Sequence, residues 1–235
     1  MTMNDENEIK VLDHGFVRLV GILGGDSRVV QAARVTYGSQ STSEERDKKL
    51  IGYLLEHAHF SPFEHSVFQF HVKCPLFVAR QWMRHRWSSF NEVSARYTEM
   101  PDEFYRPENF RVQDLKNKQG SVSAASLDQK QALAEYESAL EAVRASYEKL
   151  LSRGVAREMA RLVLPSAQYT QYYWTVNARS LMNFLALRTD SHAQLEIREY
   201  ANAVSAIFSK AMPWTYEAFV KNFSGKESLS KCLHF

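Results

Sequence analysis

Cysteine is almost missing from this chain: only Cys74 and Cys232 occur, far apart in sequence. Two distant thiols make neither a disulfide framework nor a CxxC metal clasp, and they suit a reducing, cytoplasmic setting. Proline and glycine are sparse too, at six and nine. No Pro/Gly/Ser-rich linker divides the sequence, so residues 1–235 read as a single domain with room for a substantial core. Neither GxGxxG nor GxxxxGK[ST] is present, so any dinucleotide must bind without a Rossmann unit. No apolar run approaches the ~18 residues of a membrane span. The polar, acidic start MTMNDENEIK is not that of a signal peptide. Excess charge of one sign is also lacking, with Lys plus Arg at 29, Asp plus Glu at 27 and a net charge of +2. Dedicated nucleic-acid-binding domains are usually far more basic, so an anion site here has to be a local cluster.

What is present is mainly helical periodicity. Residues 16–23 read as a strand closed by Gly24-Gly25. Asp26 and Ser27 are N-cap types ahead of a helix over 29–35. Thr42, with Glu45 three residues on, fits a capping box. A helix should follow to about His57, with Leu50, Tyr53 and Leu54 on its apolar face. Residues 66–73 alternate apolar and polar, as a strand does. Pro75 then opens a helix expected to reach Arg86. The polar stretch 111–129 reads as a surface loop. From Lys130, Leu133, Tyr136, Leu140, Val143, Tyr147 and Leu150 step by three and four toward a stop at Gly154. Further helices are expected at 156–164, 178–188 and 193–212, with Pro165 and Pro213 as punctuation. Residues 1–8 should be frayed and 224–235 a loose tail. One or two strands among several helices give an α+β fold, with a small, mostly antiparallel sheet flanked by helices.

Three groups of residues carry chemical potential. Arg80, Arg84, Arg86 and Arg96 crowd residues 80–96, balanced only by Glu92. On the expected helix Arg80 and Arg84 share one face, and Gln81 and His85 share the adjoining stripe. The guanidinium fork fits phosphate and carboxylate, so this excess implies an anionic partner. The alternative is a set of surface or subunit-interface ion pairs to acids such as Glu64 and Glu99. Later, Asn177, Arg179, Asn183, Arg188 and His192 lie on or beside one helix. Arg188 shares a face with Leu181, Phe184 and Leu185, where a guanidinium is costly to bury without a partner. Arg157 and Arg161 form another pair four residues apart. The third group is His57, His59, Ser61, Glu64 and His65. It offers no second ligand cluster, so no metal site is expected. Ser61 followed by Pro62 also fits a helix N-cap. Trp82, Trp87, Phe90 and Tyr97 lie among the arginines and could stack bases, which keeps a single-stranded nucleic-acid module as the alternative. The near-neutral charge argues against it. Cys74 has no neighbouring His to activate it, so no thiol nucleophile is expected.

The arginine-rich stretch also has a recognisable order. Arg84-His85-Arg86 is followed by seven residues and then Ser94, with Ser89, Asn91, Glu92, Arg96 and Tyr97 at further fixed offsets. This resembles the signature of the flavin-dependent thymidylate synthases. Residues 59–65, 77–82, 175–181 and 187–194 resemble other blocks of that family, and about 10–110 and about 130–222 are covered. The resemblance implies an α+β fold and a homotetramer whose active sites are built from several subunits. It implies reductive methylation of dUMP to dTMP without a cysteine nucleophile. Methylene-tetrahydrofolate would be the carbon donor, and FAD reduced by NADPH the hydride source. Ser61, Arg84, His85, Arg86, Glu92, Asn177, Arg179, Asn183 and His192 would line the FAD site. Gln81, Arg84, Glu92, Ser94, Arg96, Arg161 and Arg188 would hold dUMP, and Arg188 would be the catalytic group. Ser61 stands where relatives often have threonine, which keeps the hydroxyl.

Overall fold

An antiparallel sheet of five strands organises the chain, more than the one or two strands expected. The computed structural model describes residues 8–35, 38, 43–123 and 125–223. Strand β1 (Glu8–Val11) and β2 (Gly15–Leu23) form a hairpin. β2 pairs with β3 (Val67–Pro75), β3 with β7 (Tyr169–Asn177), and β7 with the edge strand β4 (Ser88–Glu92), giving the order β1-β2-β3-β7-β4. The strands expected at 16–23 and 66–73 are thus β2 and β3. β1 begins at Glu8, which the sequence placed in a frayed end.

β7 is central because of what it buries. Tyr172, Trp174 and Val176 lie opposite Val72, Phe70 and Phe68 and are almost wholly hidden. Trp82 and Phe184 pack over them, with Trp82 stacked on Phe184 at 4.7 Å between ring centroids. Full burial of such rings contributes roughly 2–3 kcal/mol each. At the other end of the sheet, Gly15 has no space for a side chain: a Cβ there would lie 1.8 Å from the Tyr200 hydroxyl, which donates to the Lys73 carbonyl at 2.8 Å. Small apolar clusters around Tyr147 and Leu140 seat a long helix beside this core.

The helices match their expected positions with instructive shifts. α1 (Asp26–Ala33) starts earlier than expected, with Gly25 at its N-cap. Asp26 caps a different helix: its buried carboxylate accepts from Trp214 N, Thr215 N and Thr215 Oγ1. α2 (Glu44–Glu56) is capped by Ser43, which accepts from Arg46 N at 3.4 Å, while Thr42 lies outside the described residues. Its buried face is Ile51, Leu54 and Leu55, whereas Tyr53 is exposed and stacks on His57. Ser61–His65 is a 3-10 turn whose N-cap is Phe60, so Ser61 caps nothing there.

α3 (Leu76–Trp82) begins after Pro75 as expected but stops at Trp82, well short of Arg86. The polar stretch after Arg111 carries a two-stranded hairpin, β5 (Val112–Gln113) and β6 (Ser121–Val122). α4 (Gln129–Ser152) is capped by Asp128, and Gly154 beyond it has φ +79°. Where one helix was expected at 156–164, α5 (Arg157–Ala160) passes into a 3-10 turn (Arg161–Val163). α6 (Ala178–Arg188) and α7 (Leu195–Ala211) follow expectation. α8 (Pro213–Phe223) is additional, with Pro213 opening a helix rather than only closing one. The tail expected at 224–235, and Cys232 within it, lie outside the described residues.

Candidate active site

α3 ends under the aromatic core, so the chain must turn before β4 can pair with β7. That turn holds Arg84, His85 and Arg86, and it faces α6. Between them lies a cavity of about 590 Å³, bordered on the α6 side by Arg179, Asn183 and Arg188.

Arg188 is the best-defined group in it. Its Nε donates to His85 Nε2 at 3.1 Å and its Nη2 to the Gln81 carbonyl at 3.3 Å. Both partners are neutral acceptors. Burial, and then the Arg84 charge, lower its pKa from the ordinary value, yet a guanidinium stays protonated. His85 is held neutral: burial first, and Arg188 second, bring its pKa down to about 4. With Nε2 accepting from Arg188, the ring proton belongs on Nδ1. The ring edge rests on Phe184 at 5.0 Å between centroids.

The arginines divide into two kinds. Among the described residues, Arg84, Arg86 and Arg188 have no carboxylate partner. Arg179, by contrast, pairs with Glu64 of the 3-10 turn and lies over the Phe60 ring. Arg157 pairs with Glu99 at 3.2 Å and Arg96 with Glu158 at 3.6 Å. Within the chain, ion pairs therefore account for Arg157, Arg96 and Arg179, and none forms at Arg84, Arg86 or Arg188 among the described residues.

The other candidate residues are spread more widely. Asn177 caps α6, its Oδ1 accepting from Ser180 N at 2.8 Å. Ser61 is exposed in the turn that carries Glu64, and His192 is exposed beyond α6, bonded to Asp190. Gln81 donates from Nε2 to Gln194 Oε1 at 2.6 Å. Glu92 accepts from Thr170 Oγ1 at 2.6 Å. Ser94 Oγ accepts from Arg96 N at 3.3 Å, and Arg161 donates to the Glu158 carbonyl at 3.3 Å. Ser94, Arg96 and Arg161 thus gather near Glu158, and none of them borders the Arg188 cavity. The cavity also holds residues that the sequence did not single out for it: Ser88, whose hydroxyl donates to the His85 carbonyl at 2.8 Å, and the exposed Trp87. Proximity to the Arg-His-Arg triplet was the signal for Ser88, and for Trp87 also its aromatic ring among the arginines.

Cys74 is fully buried, and burial raises its thiol pKa far above the ordinary value, which keeps it an unreactive S–H. His57 bonds the Tyr53 carbonyl at 2.9 Å and stacks on Tyr53, a local structural role. Among the described residues no three His, Cys, Asp or Glu side chains gather as metal ligands.

Residues 18–214 match the family described as thymidylate synthase complementing protein. A flavin-dependent thymidylate synthase from Thermosipho melanesiensis is 58% identical over 220 residues, covering 93% of this chain and 96% of the relative. The chain belongs to the flavin-dependent thymidylate synthase family. Another member, from Thermus thermophilus, is 48% identical over 223 residues, covering 95% of this chain and 82% of its own. Among solved structures, a UMP/dUMP methylase PolB from Streptomyces cacaoi bound with 5-Br dUMP is 37% identical with a TM-score of 0.84, covering 92% of this chain and 98% of the other. These relatives are thymidylate synthases and a UMP/dUMP methylase, and they give no support to the nucleic-acid-binding alternative.

Proposed function

We propose that the Arg188 cavity is where this chain carries out the reductive methylation of dUMP to dTMP. Methylene-tetrahydrofolate donates the carbon, and FAD, once reduced by NADPH, supplies the hydride. The observation that carries the reading is the absence of any carboxylate against Arg84, Arg86 and Arg188 among the described residues. Three guanidinium groups converging without a counter-charge are unstable partners for one another and fit phosphate oxygens. FAD brings a diphosphate, and the exposed Trp87 ring beside Arg86 offers a flat apolar surface. The donor set therefore suits the cofactor. Ser61, Arg84, His85, Arg86, Glu92, Asn177, Arg179, Asn183 and His192 are assigned to it. Gln81, Arg84, Glu92, Ser94, Arg96, Arg161 and Arg188 are assigned to dUMP.

Arg188 does the polarising. Its Nε and Nη2 are held by His85 and Gln81, so its remaining N–H groups are fixed in direction before any ligand arrives. Placed against uracil, they stabilise negative charge at N3 and the adjacent carbonyl and raise electron density at C5, where the carbon attaches. One preorganised donor of this kind is worth roughly 3–4 kcal/mol of barrier. His85 serves as a neutral acceptor. A protonated imidazole there would repel Arg188 and leave its Nε–H without a partner.

The chain is assigned to a homotetramer, in the cytoplasm, with active sites shared between subunits. The separation of the Ser94–Arg96–Arg161 group from the Arg188 cavity supports sharing, since one subunit can supply the phosphate contacts and another the cavity. No described helix is long and apolar enough to cross a membrane.

The deciding experiment is anaerobic incubation with FAD, NADPH, methylene-tetrahydrofolate and dUMP, detecting the nucleotide product by mass. dTMP that depends on added FAD after stripping is the expected result. Folded, FAD-binding protein that makes no dTMP would overturn the substrate assignment.

A further inference from the structure

Gln81 is not isolated at the end of α3. Its Nε2 meets Gln194 Oε1 at 2.6 Å, and Gln194 Nε2 meets Glu196 Oε2 at 2.9 Å. Glu196 is almost fully buried in the first turn of α7, at 3% exposure. Arg111 Nη2 reaches both its oxygens, at 2.8 and 2.9 Å, and the Tyr105 hydroxyl donates to Oε1 at 3.2 Å. Burial alone would raise the Glu196 carboxyl, but Arg111 and its other donors bring its pKa below the ordinary value.

The direction of every hydrogen bond in this chain follows from the carboxylate at its base. An ionised carboxylate only accepts. Gln194 must therefore turn its NH2 toward Glu196, which leaves its carbonyl oxygen facing Gln81. Gln81 must answer with its own NH2. Its Oε1 is then the end left to meet a ligand, and it has no hydrogen bond among the described residues. The main-chain carbonyl of the same Gln81 accepts from Arg188.

We propose that Gln194 is a positioning residue for Gln81: with Glu196 and Arg111 beneath it, it orients the Gln81 amide so that its carbonyl oxygen faces the nucleotide. Arg111 sits at the edge of the β5–β6 hairpin and donates to Ser121 Oγ at 2.8 Å, so the polar insertion becomes part of the support for the site. Without Gln194, the Gln81 side chain regains its rotamers and either end of its amide can face the ligand, which weakens nucleotide binding without removing any group that touches the ligand.

The inference rests on Gln81 being a dUMP contact, and the test separates the two. The flavin-loaded enzyme is titrated with dUMP by calorimetry for the parent, Gln81→Ala, Gln194→Met and the double variant. Gln194 is exposed, so methionine there leaves the core untouched. The expected result is roughly fivefold weaker dUMP binding on Gln194→Met in the parent and no further loss in the Gln81→Ala background. An equal loss in both backgrounds, or none in the parent, would overturn the positioning role. Parent-like affinity for Gln81→Ala would overturn the placement of Gln81 itself, and the proposal with it.

Discussion

Arg188 is a half-buried cation whose two partners are both neutral, a lone-pair nitrogen and a peptide oxygen. Such a group is stable when an anion completes its shell, which makes it the residue on which turnover should depend most. Arg188→Ala is expected to abolish dTMP formation while the flavin stays bound, read as product by mass beside flavin absorbance; near-normal turnover would remove Arg188 from its catalytic role. His85 makes the same environment sensitive to pH. Its pKa is brought down to about 4 in the fold, against about 6.5 for an ordinary histidine. Between those values the unfolded chain holds a proton that the folded chain refuses. The contribution of neutral His85 to stability is therefore complete above about pH 6.5 and is lost as pH falls toward 4. His85→Gln keeps an acceptor but does not titrate. Urea denaturation at pH 7 and pH 5 should show a smaller drop in stability for His85→Gln than for the parent, and equal drops would refute this. The Arg188 stripe was legible in the sequence because helical periodicity places Leu181, Phe184 and Leu185 on its face, and these three are buried. Its bond to His85 was not, because that contact joins residues 103 apart in sequence.

At the scale of elements, Asp26 shows how a cap can serve a helix it does not belong to. It lies in the first turn of α1, yet its carboxylate takes three donors from the start of α8. Asp26→Ala would leave these donors buried without partners, at a cost of about 2–3 kcal/mol, together with loosening of α8. A urea-midpoint comparison with the parent measures this, and a loss under 0.5 kcal/mol, the size of an ordinary surface substitution, would refute it. The local sequence reads Asp26 as an N-cap type, correctly in chemistry and wrongly in address. α3 shows a similar limit. The apolar and arginine pattern continues past Trp82, but Trp82 is wedged among Tyr172, Trp174, Phe184 and Tyr200, and the chain turns there to reach β4. β4 itself is polar apart from Phe90, so nothing in its alternation announces a strand. It is an edge strand, held by its ladder to β7.

Across the whole molecule, two separate groups stand out among the assigned ligand residues of one chain. One lies at the Arg188 cavity, and the other is the Ser94, Arg96 and Arg161 group around Glu158. If active sites are shared between subunits, two inactive variants can rescue each other. Arg188→Ala and Arg96→Ala, each inactive alone, should regain part of the parent activity when co-expressed, because some mixed sites contain neither substitution. Absence of any rescue in tetramers shown to be mixed would mean that each subunit builds its own site.

The sequence alone determined the α+β class, the helices over 178–188 and 130–152, the strands β2 and β3, and the arginine-rich order that marks the family. These depend on periodicity and spacing within short stretches, which neighbouring residues dictate through helix and strand geometry. Only the tertiary structure decided which arginines are neutralised within the chain, because Glu64 reaches Arg179 from 115 positions away while no acid of the same chain reaches Arg84, Arg86 or Arg188 among the described residues. It also decided that Glu196, Gln194 and Gln81 form one directed chain, since a hydrogen bond's direction depends on the partner that packing brings, and packing joins residues far apart in sequence.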